Sequence, residues 1–173
     1  MAKATQRVLP ARMADSVPKN RNNLRRLIAH IMIPHGWHAV GQGLWVRKHG
    51  VFYQRFSLQP SRWSTADNYL NCYMCYPKIE RVKLESKHGS HVTTRPHWID
   101  ARRAWRYDKA FETDGSRTAI VEWLSQVEAM LLRICLPWFD RIDSFRALKG
   151  EMRKNRLMGV DVDLRTAMKR RQA

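Results

Sequence analysis

The sequence predicts an α+β fold: an antiparallel β-meander sheet covered on one face by helices, with a basic helical C-terminal extension. Three observations predict it. Residues 37–76 hold short alternating segments divided by two- and three-residue turns, which cannot join parallel strands. Apolar stripes at helical spacing flank that region on both sides. Beyond residue 148 the chain turns strongly basic in a helix-compatible pattern. The expected organisation is a mobile basic arm over 1–18, a core domain over 19–148 and the basic helical extension over 149–173.

Residues 1–18 show no periodicity and contain Pro10 and Pro18. Asn20 is a plausible N-cap for a first helix, in which Leu24, Leu27, Ile28 and Ile31 form the buried stripe. Arg21, Arg25 and Arg26 lie off that stripe, facing water or a partner. Pro34 and Gly36 end the helix. Strands follow at Trp37–Val40, Leu44–Arg47 and Val51–Gln59, with turns at Gly41-Gln42-Gly43 and Lys48-His49-Gly50. In the third strand Phe52, Phe56 and Leu58 alternate with Tyr53, Arg55, Ser57 and Gln59, so a polar face is expected to offer hydrogen-bonding and stacking groups. Pro60–Asn68 reads as a loop and Tyr69–Tyr76 as a strand ended by Pro77. Ile79–Leu84 reads as an edge strand, Glu85–Pro96 as a loop, and Trp105–Phe111 as a strand closing the sheet.

A long helix follows, capped at Ser116, with Ile120, Leu124, Val127, Leu131 and Ile134 inward and its end at Pro137. Asp143 or Ser144 caps the next helix, which turns Phe145, Leu148 and Met152 inward. Asp161 or Asp163 caps a last basic helix ending Lys169-Arg170-Arg171, where cations suit the helix dipole.

A chain of 173 residues fits one domain, and 44% hydrophobic residues suffice for a core, which excludes a disordered chain. No apolar run reaches the roughly 18 residues a membrane span needs. Met1–Val8 has no signal-peptide core. Three cysteines, Cys72, Cys75 and Cys135, argue against a disulfide scaffold, so a cytoplasmic location is expected. The net charge of +17 speaks to partners rather than to fold. Most of it sits in residues 1–26 and 149–173, while the middle is nearly ordinary.

Catalytic patterns are absent. There are no HExxH, GxSxG or Walker-type motifs and no paired carboxylates. Cys72 and Cys75 have CxxC spacing, but residues three apart on a strand point to opposite faces and cannot share a metal. His88, His91 and His97 gather with Asp100 in one region, a candidate for a metal-dependent nuclease site against the plainer reading of a polar surface loop. No metal and no cofactor is expected, and the reading is non-enzymatic.

Basic residues interleaved with aromatics suit phosphate contacts plus base stacking. Arg102, Arg103 and Arg106 lie among Trp105 and Tyr107, and Arg62 lies beside Trp63. Lys149, Arg153, Lys154, Arg156, Arg165, Lys169, Arg170 and Arg171 form the C-terminal basic stretch, and Arg21, Arg25 and Arg26 the N-terminal one. Such arms give sequence-independent affinity for polyanions by releasing counterions.

The middle of the chain resembles a bacterial family described as domain of unknown function 4304, over roughly residues 22–148. The resemblance rests on Pro34-His35-Gly36-Trp37, Leu44-Trp45-Val46-Arg47, Val51-Phe52-Tyr53-Gln54 and Leu58-Gln59-Pro60-Ser61-Arg62-Trp63. It also covers Tyr69–Pro77 and Leu136-Pro137-Trp138-Phe139-Asp140-Arg141. It implies an α+β fold and no assigned activity. From the basic arms, the expected function is a nucleic-acid-binding module, an accessory subunit of a larger nucleoprotein complex. The alternative is an inhibitor, immunity or adaptor protein for an acidic partner, as in a toxin-neutralising or antiphage system.

Overall fold

The computed structural model describes residues 21–41, 43–60, 68–79, 90–100, 102, 125–155 and 158–170. The fold is α+β. A six-stranded antiparallel sheet runs in chain order: β1 (His38–Gly41), β2 (Leu44–His49), β3 (Phe52–Pro60), β4 (Asn68–Cys75), β5 (Val92–Thr94) and β6 (Gly159–Val160).

Helix α1 (Arg21–Met32) buries Leu24, Leu27, Ile28, Ile31 and Met32, the stripe its spacing requires. Pro34 has no N–H to continue the ladder, so the chain tightens into a 3₁₀ turn at Ile33–His35. Gly36 closes it with φ 79°, donating its N–H to the Ile33 carbonyl at 3.0 Å. Gly43 (φ 75°) and Gly50 (φ 55°) turn the chain between the next strands.

Register settles which residues share a face. Trp45, Phe56, Cys72 and Thr94 form one cross-strand row, and Arg47, Gln54, Met74, Val92 and Val160 the adjacent row on the same side. Helices cover this side. A single core cluster joins these strands to α1, to a helix over 125–140 (α3), to α4 (Phe145–Lys154) and to α5 (Val162–Arg170). Phe139 meets Trp37 edge-on at 4.8 Å and Phe56 at 6.5 Å, while Phe145 meets Phe52 at 5.4 Å.

Three expectations change. Helix α3 does not stop at Pro137 but runs on to Asp140. Its π-helical segment Leu131–Cys135 explains this: the Leu136 N–H reaches back five residues to the Leu131 carbonyl. That widened turn accommodates a proline, which supplies no N–H and crowds the carbonyl four residues earlier. The region expected as a loop ends in β5 and a short helix, α2 (Pro96–Ile99). Val92 and Thr94 are β-branched and pair with the free edge of β4, so sheet pairing decides their state. The basic C-terminal stretch is helical over α5, but it also supplies β6, which pairs with β5. Leu164 and Met168 of α5 are buried in the common core.

Pro60 and Asn68, expected as the ends of a loop, pair with each other in β3 and β4. The rest of that loop, the arm 1–18, the Asn20 cap, the edge strand beyond Ile79, the strand Trp105–Phe111 and the cap Ser116 with Ile120 and Leu124 lie outside the described residues.

Candidate functional site

The C-terminal helices place cations together. Ser144 caps α4, its hydroxyl accepting from the Ala147 N–H at 3.3 Å. Leu148 and Glu151 face inward, which turns Lys149 and Arg153, one helical turn apart, to the other side. At α5 the Asp161 carboxylate accepts from the Asp163 N–H at 2.7 Å and starts the helix. Burial of Leu164 and Met168 then fixes Arg165 and Lys169 on a shared outer face. A groove of about 450 Å³ lies between the two helices. Lys149, Arg165 and Lys169 line it with Met152, Val162, Thr166 and Met168, and no carboxylate is among those residues. Val162 is 70% exposed, so the floor is apolar and open.

The other predicted cations differ in freedom. Arg153 and Arg170 are exposed. Lys154 is held by Glu151 at 3.1 Å, a carboxylate it shares with Arg141 at 3.5 Å. Arg26 and Arg102 are exposed, and Arg21 opens α1. Arg25 is half-buried, its Nε enclosed beside the Gly43 turn, so it is not an open phosphate contact. Arg62, Trp63, Arg103, Trp105, Arg106, Tyr107, Arg156 and Arg171 lie outside the described residues.

Among the described residues, no cluster of histidine, cysteine and carboxylate side chains could hold a metal ion. His88 lies outside the described residues. His91 is buried, and its Nδ1 accepts the Tyr76 N–H at 2.9 Å. Burial lowers its pKa, against a smaller opposing pull from Asp161 and Asp163. His97 is exposed and meets Trp98 edge-on at 5.3 Å. Cys72 and Cys75 occupy opposite faces of β4 as their spacing requires. Burial, together with the neighbouring Cys135, pushes the Cys72 thiol well up.

Several residues of the motifs at 34–37, 44–47, 51–54 and 136–141 converge on one structural clamp. Arg47 donates from Nε to Gln54 Oε1 at 2.7 Å and from Nη1 to the His35 carbonyl at 3.2 Å. Its Nη2 pairs with Asp140, and the guanidinium lies over the Trp37 ring at 4.9 Å. Gln54 in turn donates to the Phe139 and Ile142 carbonyls. These side chains tie β2 and β3 to the 3₁₀ turn and the end of α3, which accounts for them without a ligand.

The second face of the sheet overturns an expectation. The polar face expected of β3 is largely enclosed rather than on offer to a partner: Arg55 is 0% and Ser57 2% exposed. Sequence reasoning missed an available signal: Leu44-Trp45-Val46 is an unbroken apolar run, the mark of a strand buried on both faces, and all three are buried. Towards β5 the same face carries Arg95, lying over Tyr69 at 5.1 Å and Trp98 at 5.4 Å. Arg95 Nε donates to Asn71 Oδ1 at 3.2 Å, and Asn71 Nδ2 donates to Gln59 Oε1 at 3.2 Å.

Among the described residues, no helix is long and apolar enough to cross a membrane. Comparison with protein-family models, curated proteins and solved structures finds no match to this chain.

Proposed function

We propose that the chain is a non-catalytic nucleic-acid-binding module that grips phosphates through the α4–α5 face, as an accessory subunit of a cytoplasmic nucleoprotein complex. One observation carries the reading: Lys149, Arg165 and Lys169, from two helices, line one groove with no carboxylate among its lining residues. Like charges held together repel, and a bound polyanion relieves that repulsion while releasing its own counterions. Exposed Arg153 and Arg170 extend the same basic surface. The overall charge of +17 supports the reading at long range.

A second reading has its own support. Met152, Val162 and Met168 give the groove an apolar floor, which suits the apolar side of an acidic amphipathic helix from a protein partner. Fluorescence anisotropy with labelled single-stranded DNA, duplex DNA, RNA and an acidic amphipathic peptide separates the two. Tight nucleic-acid binding that weakens steeply with salt supports the first reading and names the ligand. Saturable peptide binding, with weak attachment to all three nucleic acids at physiological salt, replaces it with the second.

A further inference from the structure

Arg55 sits at the centre of the sheet. Its row on the second face runs Val46, Arg55, Tyr73, Thr93 and Gly159. The side chain is 0% exposed. Nη1 donates to Cys75 Sγ at 3.4 Å, and the guanidinium lies 5.9 Å from the centre of the Tyr73 ring. Among the described residues, Nε and Nη2 have no hydrogen-bond partner. Among the described residues no carboxylate pairs with Arg55; the ion pairs there are Arg47–Asp140, Arg141–Glu151 and Lys154–Glu151.

Among the described residues this arrangement is incomplete. A guanidinium keeps its proton in any protein environment. Enclosed with no counter-charge among the described residues, it is strongly destabilising. Cys75 does not supply that charge. Burial raises its thiol pKa more than Arg55 lowers it, so the sulfur stays protonated. The two free nitrogens are not an arbitrary pair. With Nη1 on Cys75, Nε and Nη2 form the side edge of the guanidinium, whose two parallel N–H bonds match two oxygens of one carboxylate or phosphate. Asn71, fixed by Arg95 and Gln59, and Ser57 stand opposite each other on the same face and give the surroundings polar character.

We propose that Arg55 anchors an internal oxyanion site on the second face of the sheet, binding a carboxylate or phosphate group side-on through Nε and Nη2. The site is distinct from the α4–α5 groove. It holds one small anionic group away from water, where a charge-assisted pair is strong, rather than a polymer backbone at the surface.

The test is thermal unfolding of the full chain in chloride buffer, with inorganic phosphate, acetate or adenosine monophosphate added at constant ionic strength. At about a hundredfold excess over its dissociation constant, a bound probe raises Tm by about 5–10 °C. Phosphate against acetate tells the oxyanion class. Adenosine monophosphate against phosphate tells whether the group is carried by a larger molecule. Arg55→Met is expected to unfold at or above the wild-type temperature without added anion and to show no probe-dependent shift. Arg55→Lys keeps the charge without the fork, and at least halves the shift. A combined Lys149→Met, Arg165→Met, Lys169→Met protein is expected to keep the full shift while losing nucleic-acid affinity, so the two proposals fail separately. A wild type that no probe stabilises, or an Arg55→Met protein stabilised equally, overturns the site.

Discussion

Replacing Gly50 with alanine tests how the sheet is joined to α4. A Cβ on Gly50 would stand 1.9 Å from the Asp143 carbonyl oxygen, 2.6 Å from its carbon and 2.7 Å from its Cα. Ordinary contact begins at 3.4 Å, and the obstacle is backbone rather than a flexible side-chain tip. The same carbonyl accepts the Val51 N–H at 2.9 Å, and the next residue, Ser144, caps α4. A methyl group there must displace Asp143, strain that bond and disturb the cap. A left-handed alanine (φ 55° at this position) costs about 1–2 kcal/mol. The lost bond adds about 1 kcal/mol and the forced backbone shift about 1–3 kcal/mol. The sum is roughly 3–6 kcal/mol, a large part of the stability of an ordinary domain. Circular-dichroism melting should show a fall in Tm of about 10 °C. Gly36→Ala is the control. It has a similar backbone (φ 79°) but nothing within 4 Å of the added carbon, so only about 1 kcal/mol is lost and Tm falls by about 3 °C. Equal falls in the two variants, or a Gly50→Ala protein within about 2 °C of wild type, would refute the steric argument.

Other consequences are as concrete. Because burial depresses the His91 pKa, the unfolded chain binds the proton more readily; stability is complete above the ordinary histidine value of about 6.5 and declines as pH falls below it. Denaturant unfolding at pH 7.5 and pH 5 should show that loss, and His91→Gln, which still offers an acceptor to the Tyr76 N–H, should lessen it. Cys72, Cys75 and Cys135 are all free and buried, so a thiol reagent should label none of them rapidly in the native protein and all three after unfolding. Arg47→Met should lower stability by about 2–3 kcal/mol in chemical denaturation, because it strips charge-assisted bonds from Asp140, Gln54 and His35. An unchanged midpoint would show that the clamp contributes nothing net.

The sheet was legible because Phe52, Phe56 and Leu58 recur at period two in β3, although Gln54 interrupts them, and because glycines mark the turns before it. Helix α1 was legible because Leu24, Leu27, Ile28 and Ile31 mark one face. Other features depend on contacts distant in sequence. A two-residue strand such as Gly159–Val160 carries no pattern of its own and exists because β5 offers it an edge. The passage of α3 through Pro137 depends on one π-type bond from Leu136 to Leu131, which no spacing announces. Alternation told which residues share a face with Arg55 but not that the face is enclosed. Lys149, Arg165 and Lys169 were singled out by charge excess, as were several cations that the groove does not use. Their convergence follows from the burial of Leu148, Leu164 and Met168, which sets α4 and α5 against the same core.

Phosphate binding by the α4–α5 face is tested by the salt dependence of duplex-DNA binding by wild type and by the Lys149→Met, Arg165→Met, Lys169→Met protein. Each phosphate contact contributes about 0.9 to the slope of log affinity against log salt, so three contribute about 2.7. Over a fourfold rise in salt they account for about a 40-fold loss of affinity. A slope shallower by about 2–3 is expected in the variant, with unchanged thermal stability. Equal slopes and equal affinities would show that nucleic acid does not bind through the α4–α5 groove.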